Sequence, residues 1–218
     1  MNIVEPYARM LDVDDMAAGI KLLQKIEWCG RISHRSEDAV TETSWEKFLR
    51  AVVLGHGDWS IVEHASVTVD AVVDRGITHE WVRHRIGAYT QESTRFVNYE
   101  KKMPASFIKP EIITGHVGEM WEKIIARSED GYRALIASGC TPQIARSVFP
   151  NALASRIVTT YNLRNWRHFF LMRTTREAHP QMRQVSIPLL QQFQSRIPIL
   201  FEDIEPEAKQ ADNLKKMR

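Results

Sequence analysis

Two segments of this chain carry the alternating, β-branched pattern of strands, and nearly every other patterned segment has a helical period. Residues 64–73 are valine-rich (Val67, Val69, Val72, Val73), and residues 152–161 contain Ile157, Val158, Thr159 and Thr160. The opening segment Asn2–Met10 is a third, shorter strand candidate. Helices therefore outnumber strands and do not alternate with them. That order predicts an α+β fold rather than a doubly wound parallel sheet.

The helical segments come with start and stop signals. Asp14 or Asp15 is placed to cap a helix running to about Arg31, with Met16, Ile20, Leu23 and Ile26 at helical spacing. After a polar loop over residues 33–42, Thr43 or Ser44 starts a helix carrying Trp45, Phe48, Leu49 and Val52, ended by Gly55 and Gly57. Asp74-Arg75-Gly76 reads as a turn, and Thr78 as the cap of a short helix that includes Trp81, Val82 and Arg83-His84-Arg85. Residues 87–110 read as loop or irregular strand. A long amphipathic helix is expected over residues 117–138, closed by Gly139. Pro142 suits the first turn of a short helix to Val148, and Pro150 stops it. Further helices are expected over 164–174 and 180–196, the second bent at Pro188. The first of these places Trp166, Phe169, Phe170 and Met172 in the core, its arginines projecting outward. No repeat or linker breaks the 218 residues, which suits a single domain over 1–218 with a frayed tail after about residue 206.

Charge narrows the function. The net charge is only +2, but the 29 basic residues divide into 19 Arg and 10 Lys. Between residues 131 and 200 stand nine arginines (133, 146, 156, 164, 167, 173, 176, 183, 196), no lysine, and one acid, Glu177. Arginine suits bidentate recognition of phosphate and carboxylate. With so few local acids, a phosphate-bearing ligand is favoured over a face of arginines ion-paired with another subunit. A nucleic-acid partner is not expected: such a surface interleaves lysines and exposed aromatics, whereas Trp166, Phe169 and Phe170 have core-like spacing. No apolar run is long enough to span a bilayer, and the N-terminus lacks the basic-then-apolar order of a secretory signal. Two cysteines, Cys29 and Cys140, fit a reducing compartment and read as buried structural residues; the chain is expected in the cytoplasm.

Several common signatures are missing. No glycine-rich loop ends in Gly-Lys-Ser/Thr, and Gly55-His56-Gly57 lacks the third glycine of a dinucleotide fingerprint. His79-Glu80 followed by His84 has histidines five apart rather than four, so they leave a common helix face and no metal site is expected. What remains is Arg83-His84-Arg85, seven residues, then Ser93 and Arg95. Three basic residues followed by a small, polar loop can surround an anion with side chains and loop amides. A second constellation runs from Asn162 through Arg164, Arg167 and His168 to Arg173, with Arg164 and His168 on one helical face.

Arg-His-Arg, seven residues, then Ser resembles the signature of the flavin-dependent thymidylate synthases, and Gln91-Glu-Ser-Thr-Arg95 resembles its ending in some members. Three further segments resemble that family in the right order: Gly57-Asp-Trp-Ser60-Ile-Val-Glu63-His64, Thr141-Pro-Gln-Ile-Ala-Arg146-Ser-Val-Phe-Pro150, and Asn162 through Arg173. The resemblance implies an α+β domain with a mainly antiparallel sheet packed by helices. It implies conversion of dUMP to dTMP, with methylenetetrahydrofolate as carbon donor and FAD, reduced by NADPH, as hydride carrier. It also implies a homotetramer with shared active sites.

Residue by residue, the resemblance assigns Ser60, Arg83, His84, Arg85, Gln91, Asn162, Arg164 and His168 to FAD. It assigns Glu80, Arg83, Glu92, Ser93, Thr94, Arg95, Arg146 and Arg173 to dUMP. The resemblance makes Arg173 and Ser93 the catalytic residues: Arg173 matches the arginine that acts on the uracil, and Ser93 the motif serine proposed as a nucleophile. Asp58 stands where many members have a flavin-contacting His, Ala88 replaces a common Ser, Thr90 a common Asn and Gln91 a common Glu. These changes bear on flavin affinity and oxidation rate more than on substrate. The alternative is a related flavoprotein acting on another pyrimidine nucleotide or mainly oxidising NADPH.

Overall fold

Side-chain acceptors at the helix starts decide where most elements of the computed structural model begin; it describes residues 1–101 and 103–206. Strands β1 (Asn2–Ile3) and β2 (Tyr7–Met10) divide the strand expected over the N-terminus. Helix α1 (Met16–Arg31) follows Asp15, whose carboxylate accepts from Ala18 N at 2.8 Å. Its inward stripe is Gly19, Leu23, Ile26, Glu27 and Gly30; Met16, expected on that stripe, is exposed. Helix α2 (Ser44–Leu49) starts where expected, though Thr43 makes no cap bond. Thr41 and Ser44 instead exchange reciprocal side-chain to backbone bonds at 2.8 and 3.1 Å. The helix then continues as π-helical turns over Arg50–Gly55.

Strand β3 (Ser66–Asp74) ends at the residue that launches helix α3 (Arg75–Trp81). Asp74 Oδ1 accepts from Ile77 N at 2.9 Å. The turn expected at Asp74-Arg75-Gly76 is thus the first turn of the helix, Thr78 lies inside it, and Arg83-His84-Arg85 follows its end. The reason is competition for the same backbone donors, which an aspartate at the strand end reaches first. Strands β4 (Ala88–Gln91) and β5 (Ser106–Phe107) bracket the irregular stretch. Helix α4 (Gly115–Ala137) ends before Gly139, which has φ +90°. Helix α5 (Pro142–Ala145) continues as a 3-10 turn over Arg146–Val148. Strand β6 (Ala154–Asn162) leads directly into α6 (Leu163–Arg173), and α7 (Pro180–Arg196) stays one helix through Pro188. The tail expected to fray lies outside the described residues from 207 on.

The main sheet has the strand order β2-β3-β6-β4 and is antiparallel, so the α+β expectation holds. A two-stranded parallel pair joins β1 to β5, with Asn2 opposite Ser106 and Ile3 opposite Phe107. Contacts divide the chain into two units, and the long strands β3 and β6 each contribute residues to both. The first comprises Met1–Tyr7, Asp70–Arg83 and Tyr89–Val158. It packs Tyr99, Phe107, Ile125, Tyr132 and Leu153, with Tyr132 stacked on Phe149 at 4.4 Å. The second comprises Ala8–Val69, His84–Ala88 and the chain from Thr159 on. Its centre is aromatic: Trp166, Phe169, Phe170, Phe193 and Phe201 are all fully buried. Trp166 Nε1 donates to Val67 O at 2.9 Å, so its one polar group is satisfied. Met172, expected in that core, is exposed.

Within the second unit α1 and α7 meet backbone to backbone. A Cβ at Gly19 would lie 1.7 Å from Arg196 O. Gly19→Ala should therefore force the helices apart and destabilise by about 1–3 kcal/mol, the usual range for overpacking. A lowered urea midpoint with an unchanged slope checks this.

Candidate functional site

The loop after β4 belongs to the first unit and is pinned at almost every residue. Gln91 turns its amide inward, donating to Thr78 Oγ1 at 3.0 Å and Ser155 Oγ at 3.1 Å. Glu92 N donates to Arg156 O at 2.8 Å, and Glu92 Oε1 accepts from the Tyr99 hydroxyl at 2.6 Å. Thr94 is buried, and its Oγ1 accepts from Arg146 at 2.9 Å. Arg95 Nε donates to Gln143 Oε1 at 2.7 Å, its guanidinium lying over the Phe96 ring. Ser93 O closes the turn by accepting from Phe96 N and Val97 N. Among the described residues the Ser93 hydroxyl meets no hydrogen-bond partner.

Arg95 and Arg146 thus share one unit, both exposed, and among the described residues each hydrogen-bonds only to a neutral side chain. A guanidinium keeps spare donors in that arrangement, and no acid neutralises it. Glu80, half-buried on α3, and the exposed Arg83 belong to the same unit; Arg83 N donates to Glu80 O at 3.2 Å.

The second unit holds the other candidates. Asn162 caps α6: its Oδ1 accepts from Asn165 N at 2.8 Å, which takes one of the oxygen's two acceptor positions. Arg164 and His168 are both exposed on that helix, as their spacing predicts, and Arg164 pairs with Glu63 at 2.6 Å. Arg173, at the helix end, donates from Nε to His84 Nε2 at 3.0 Å. His84 also lies edge-on to His168, with ring centroids 5.7 Å apart, and to the buried Phe169 at 5.0 Å. Ser60 and Arg85 are exposed, and no side-chain partner meets Arg85 among the described residues. Asp58 and Ala88 are exposed as well.

Accepting from Arg173 requires a lone pair on His84 Nε2, hence a neutral ring. Burial, the Arg173 cation and His168 together lower the His84 pKa to about 4. The imidazole is therefore an acceptor throughout the neutral range, holding a permanently charged arginine.

The arginine-rich stretch sorts by partner. Arg133 pairs with Glu100 and Glu129, Arg156 with Asp70, Arg164 with Glu63 and Arg167 with Asp203. These acids all lie outside the stretch, which is why a local charge count misses them. Arg167, expected to project outward, is largely buried, bidentate to Asp203 and stacked over Trp59. Arg183 and Arg196 donate to the backbone carbonyls of Thr175 and Val13. Arg146 and Arg173 are the two whose side-chain hydrogen bonds described above go to a neutral hydroxyl and a neutral imidazole. Tyr99, Gln143, Thr78 and Ser155 hold the candidate loop residues but are not among the site residues read from the sequence. Gln143 alone left a signal, three residues before Arg146 on one short helical segment. Cys29 and Cys140 are free thiols and only half-buried, not the buried residues expected.

The donor set fits phosphorylated ligands: arginines with spare N–H groups, loop hydroxyls, and no cluster of metal-ligating residues among the described ones. Among the described residues no helix is long and apolar enough to cross a membrane.

Comparison with known proteins agrees. The family described as thymidylate synthase complementing protein matches residues 21–199. A flavin-dependent thymidylate synthase of Pyrococcus furiosus is 34% identical over 199 residues, covering 87% of this chain and 79% of that protein. One of Mycobacterium tuberculosis is 32% identical over 200 residues, covering 83% and 78%. The fold is shared with a UMP/dUMP methylase, PolB from Streptomyces cacaoi, solved with 5-Br dUMP: the TM-score is 0.78 at 21% identity, over 93% of this chain and 96% of that one.

The His84 assignment has a pH consequence. Its folded pKa of about 4 lies below the ordinary 6.5, so the unfolded chain takes up this proton first. The group's contribution to stability is complete above pH 6.5 and is lost as pH falls from there towards about 4. Arg173→Ala removes one cause and should raise the His84 pKa, while burial keeps it below 6.5. A histidine NMR titration reads this directly, and an unchanged value would refute the pairing.

Proposed function

The chain belongs to the flavin-dependent thymidylate synthase family, and from that premise we propose that this enzyme converts dUMP to dTMP. Methylenetetrahydrofolate supplies the carbon, and FAD reduced by NADPH supplies the hydride. The observation that carries the nucleotide reading is the pair of arginines with neutral partners, Arg95 on Gln143 and Arg146 on Thr94, in the unit that carries the unbonded Ser93 hydroxyl. A phosphate placed there takes bidentate arginine bonds, the hydroxyl and loop amides. Glu80, Arg83, Glu92 and Thr94 complete the dUMP set.

Carbon transfer requires uracil C5 to act as a nucleophile, so the ring must gain electron density. A fixed cation at the N3–C4=O edge favours the ionised pyrimidine, and Arg173 supplies one without exchanging protons. His84 accepts from its Nε at 3.0 Å and so orients the guanidinium plane. FAD would be held by Ser60, Arg83, His84, Arg85, Gln91, Asn162, Arg164 and His168. Arg83 and Arg85, exposed and without side-chain partners among the described residues, suit its diphosphate. The flavin supplies the redox chemistry, and these residues bind and orient it. Gln91 commits its amide nitrogen within the protein and offers its oxygen, whereas Asn162 commits its oxygen in part and offers its amide N–H groups.

The whole chain acts as one family domain and assembles as a homotetramer with shared active sites. The exposed stripe Val117, Met120 and Ile124 on α4 supports assembly, since a lone chain leaves it in water. The half-buried free thiols support a reducing compartment, the cytoplasm.

Arg173→Ala should cut dTMP formation by about 10²–10³-fold, the cost of losing one preorganised donor, while FAD stays bound. Tritium release from C5-labelled dUMP and the flavin absorbance spectrum measure the two separately. Equal loss of both would mean that Arg173 serves the cofactor. Mass spectrometry of the product separates this activity from methylation of another nucleotide or simple NADPH oxidation, since only the first yields dTMP.

A further inference from the structure

Glu92 is held at both its backbone and its side chain by groups of the first unit. Its N–H donates to Arg156 O at 2.8 Å, and its Oε1 accepts from Tyr99 at 2.6 Å. Tyr99 is itself immobilised. It is 7% exposed, its N–H donates to the Tyr132 hydroxyl at 3.3 Å, and its ring meets Tyr132 and Phe149 edge-on.

The polarity of the Tyr99–Glu92 bond is settled by chemistry. Burial and the adjacent carboxylate push the phenol far above its ordinary range, so it keeps its proton and donates. One carboxylate oxygen is therefore committed. The other, Oε2, has no partner among the described residues and remains an acceptor.

An acceptor beside an anion-binding loop is unsuited to the phosphate, which it would repel. It must instead meet a hydrogen-bond donor on the uncharged part of the nucleotide. We propose that Tyr99 is a positioning residue: it clamps the Glu92 carboxylate so that Oε2 accepts an N–H or O–H of the bound nucleoside. This rests on the reading that residues 91–95 hold the nucleotide. The donor is either the sugar hydroxyl or the imide N3–H, which share the same hydrogen-bonding chemistry.

The test uses the FAD-loaded full chain, with dUMP binding followed by calorimetry and turnover by tritium release. Tyr99→Phe keeps the ring packing and removes only the clamp. It should raise the KM and Kd for dUMP about tenfold, as for loss of a charge-assisted hydrogen bond, with kcat within about twofold. Glu92→Gln should weaken dUMP at least as much, and the double variant should be no worse than Glu92→Gln alone. Tested against wild type and Tyr99→Phe, 2′,3′-dideoxy-UMP and N3-methyl-dUMP identify the donor, since the analogue lacking it should bind both proteins equally weakly. A Tyr99→Phe enzyme that binds dUMP like wild type, or that loses only thermal stability, overturns the clamp while leaving the site assignment intact. Additive losses in the double variant overturn it too. Glu92→Gln binding dUMP like wild type would overturn the site reading itself, and the clamp with it.

Discussion

Each long strand of this protein ends in a side chain that accepts a backbone N–H three residues further on, and the placement of the functional residues depends on those two bonds. Asp74 does this for α3 and Asn162 for α6. An uncapped helix start leaves several backbone donors without partners, and a good cap restores about 1 kcal/mol. The larger consequence is geometric. A cap at the last strand residue turns the chain from extended to helical with no intervening loop, so residues downstream sit at positions dictated by the helix. On α6 this places Arg164 and His168 on the exposed face and Arg173 at the end, while Trp166, Phe169 and Phe170 turn into the core. The same bond restricts Asn162, whose side chain is oriented by the helix it caps.

The arginines show how partner choice separates structural from functional charge. Arg167 is largely buried against Asp203, Leu200 O and the Trp59 ring, a setting that leaves it nothing to offer a ligand. Arg164 is different. Its pairing with Glu63 lies between two side chains about half exposed, and ion pairs of that kind contribute only about 0.2–1 kcal/mol. An incoming anion can displace Glu63 at little cost. Arg95 and Arg146 need no displacement, because Gln143 and Thr94 orient them without neutralising them.

Local signals in the amino-acid order made much of this legible. Asp15 sits directly before an apolar periodic run, and the 180–196 helix is bounded as its residues predict, whereas the capping role of Asn162 went unread. The motif around Arg83 and Ser93 was equally visible, being contiguous. What failed did so for stated reasons. Asp-Arg-Gly favours both a turn and a helix start, and only the strand arriving at Asp74 decides between them. Met16 and Met172 have the period of buried residues but lie at the margin of their stripes, where a helix faces water. Partners distant in sequence left no trace: Asp70 lies 86 residues before Arg156, and Asp203 lies 36 residues after Arg167. Tyr99 and Glu92 meet across a turn whose path no periodicity encodes.

The hydrogen bond from Arg173 to His84 bears on what the site can do. A carboxylate would hold the guanidinium more tightly, but it would also cancel the charge that an electron-rich pyrimidine must feel. A neutral imidazole orients the same group through one directed hydrogen bond without itself neutralising the charge. That arrangement works only while the ring stays unprotonated beside a cation. Burial against Phe169 and the repulsion from Arg173 and His168 secure this, keeping the pKa near 4. The cation thus helps maintain the neutral state of its own acceptor. An arginine fixed in this way can act on its substrate across the neutral pH range without any proton leaving or entering the pair.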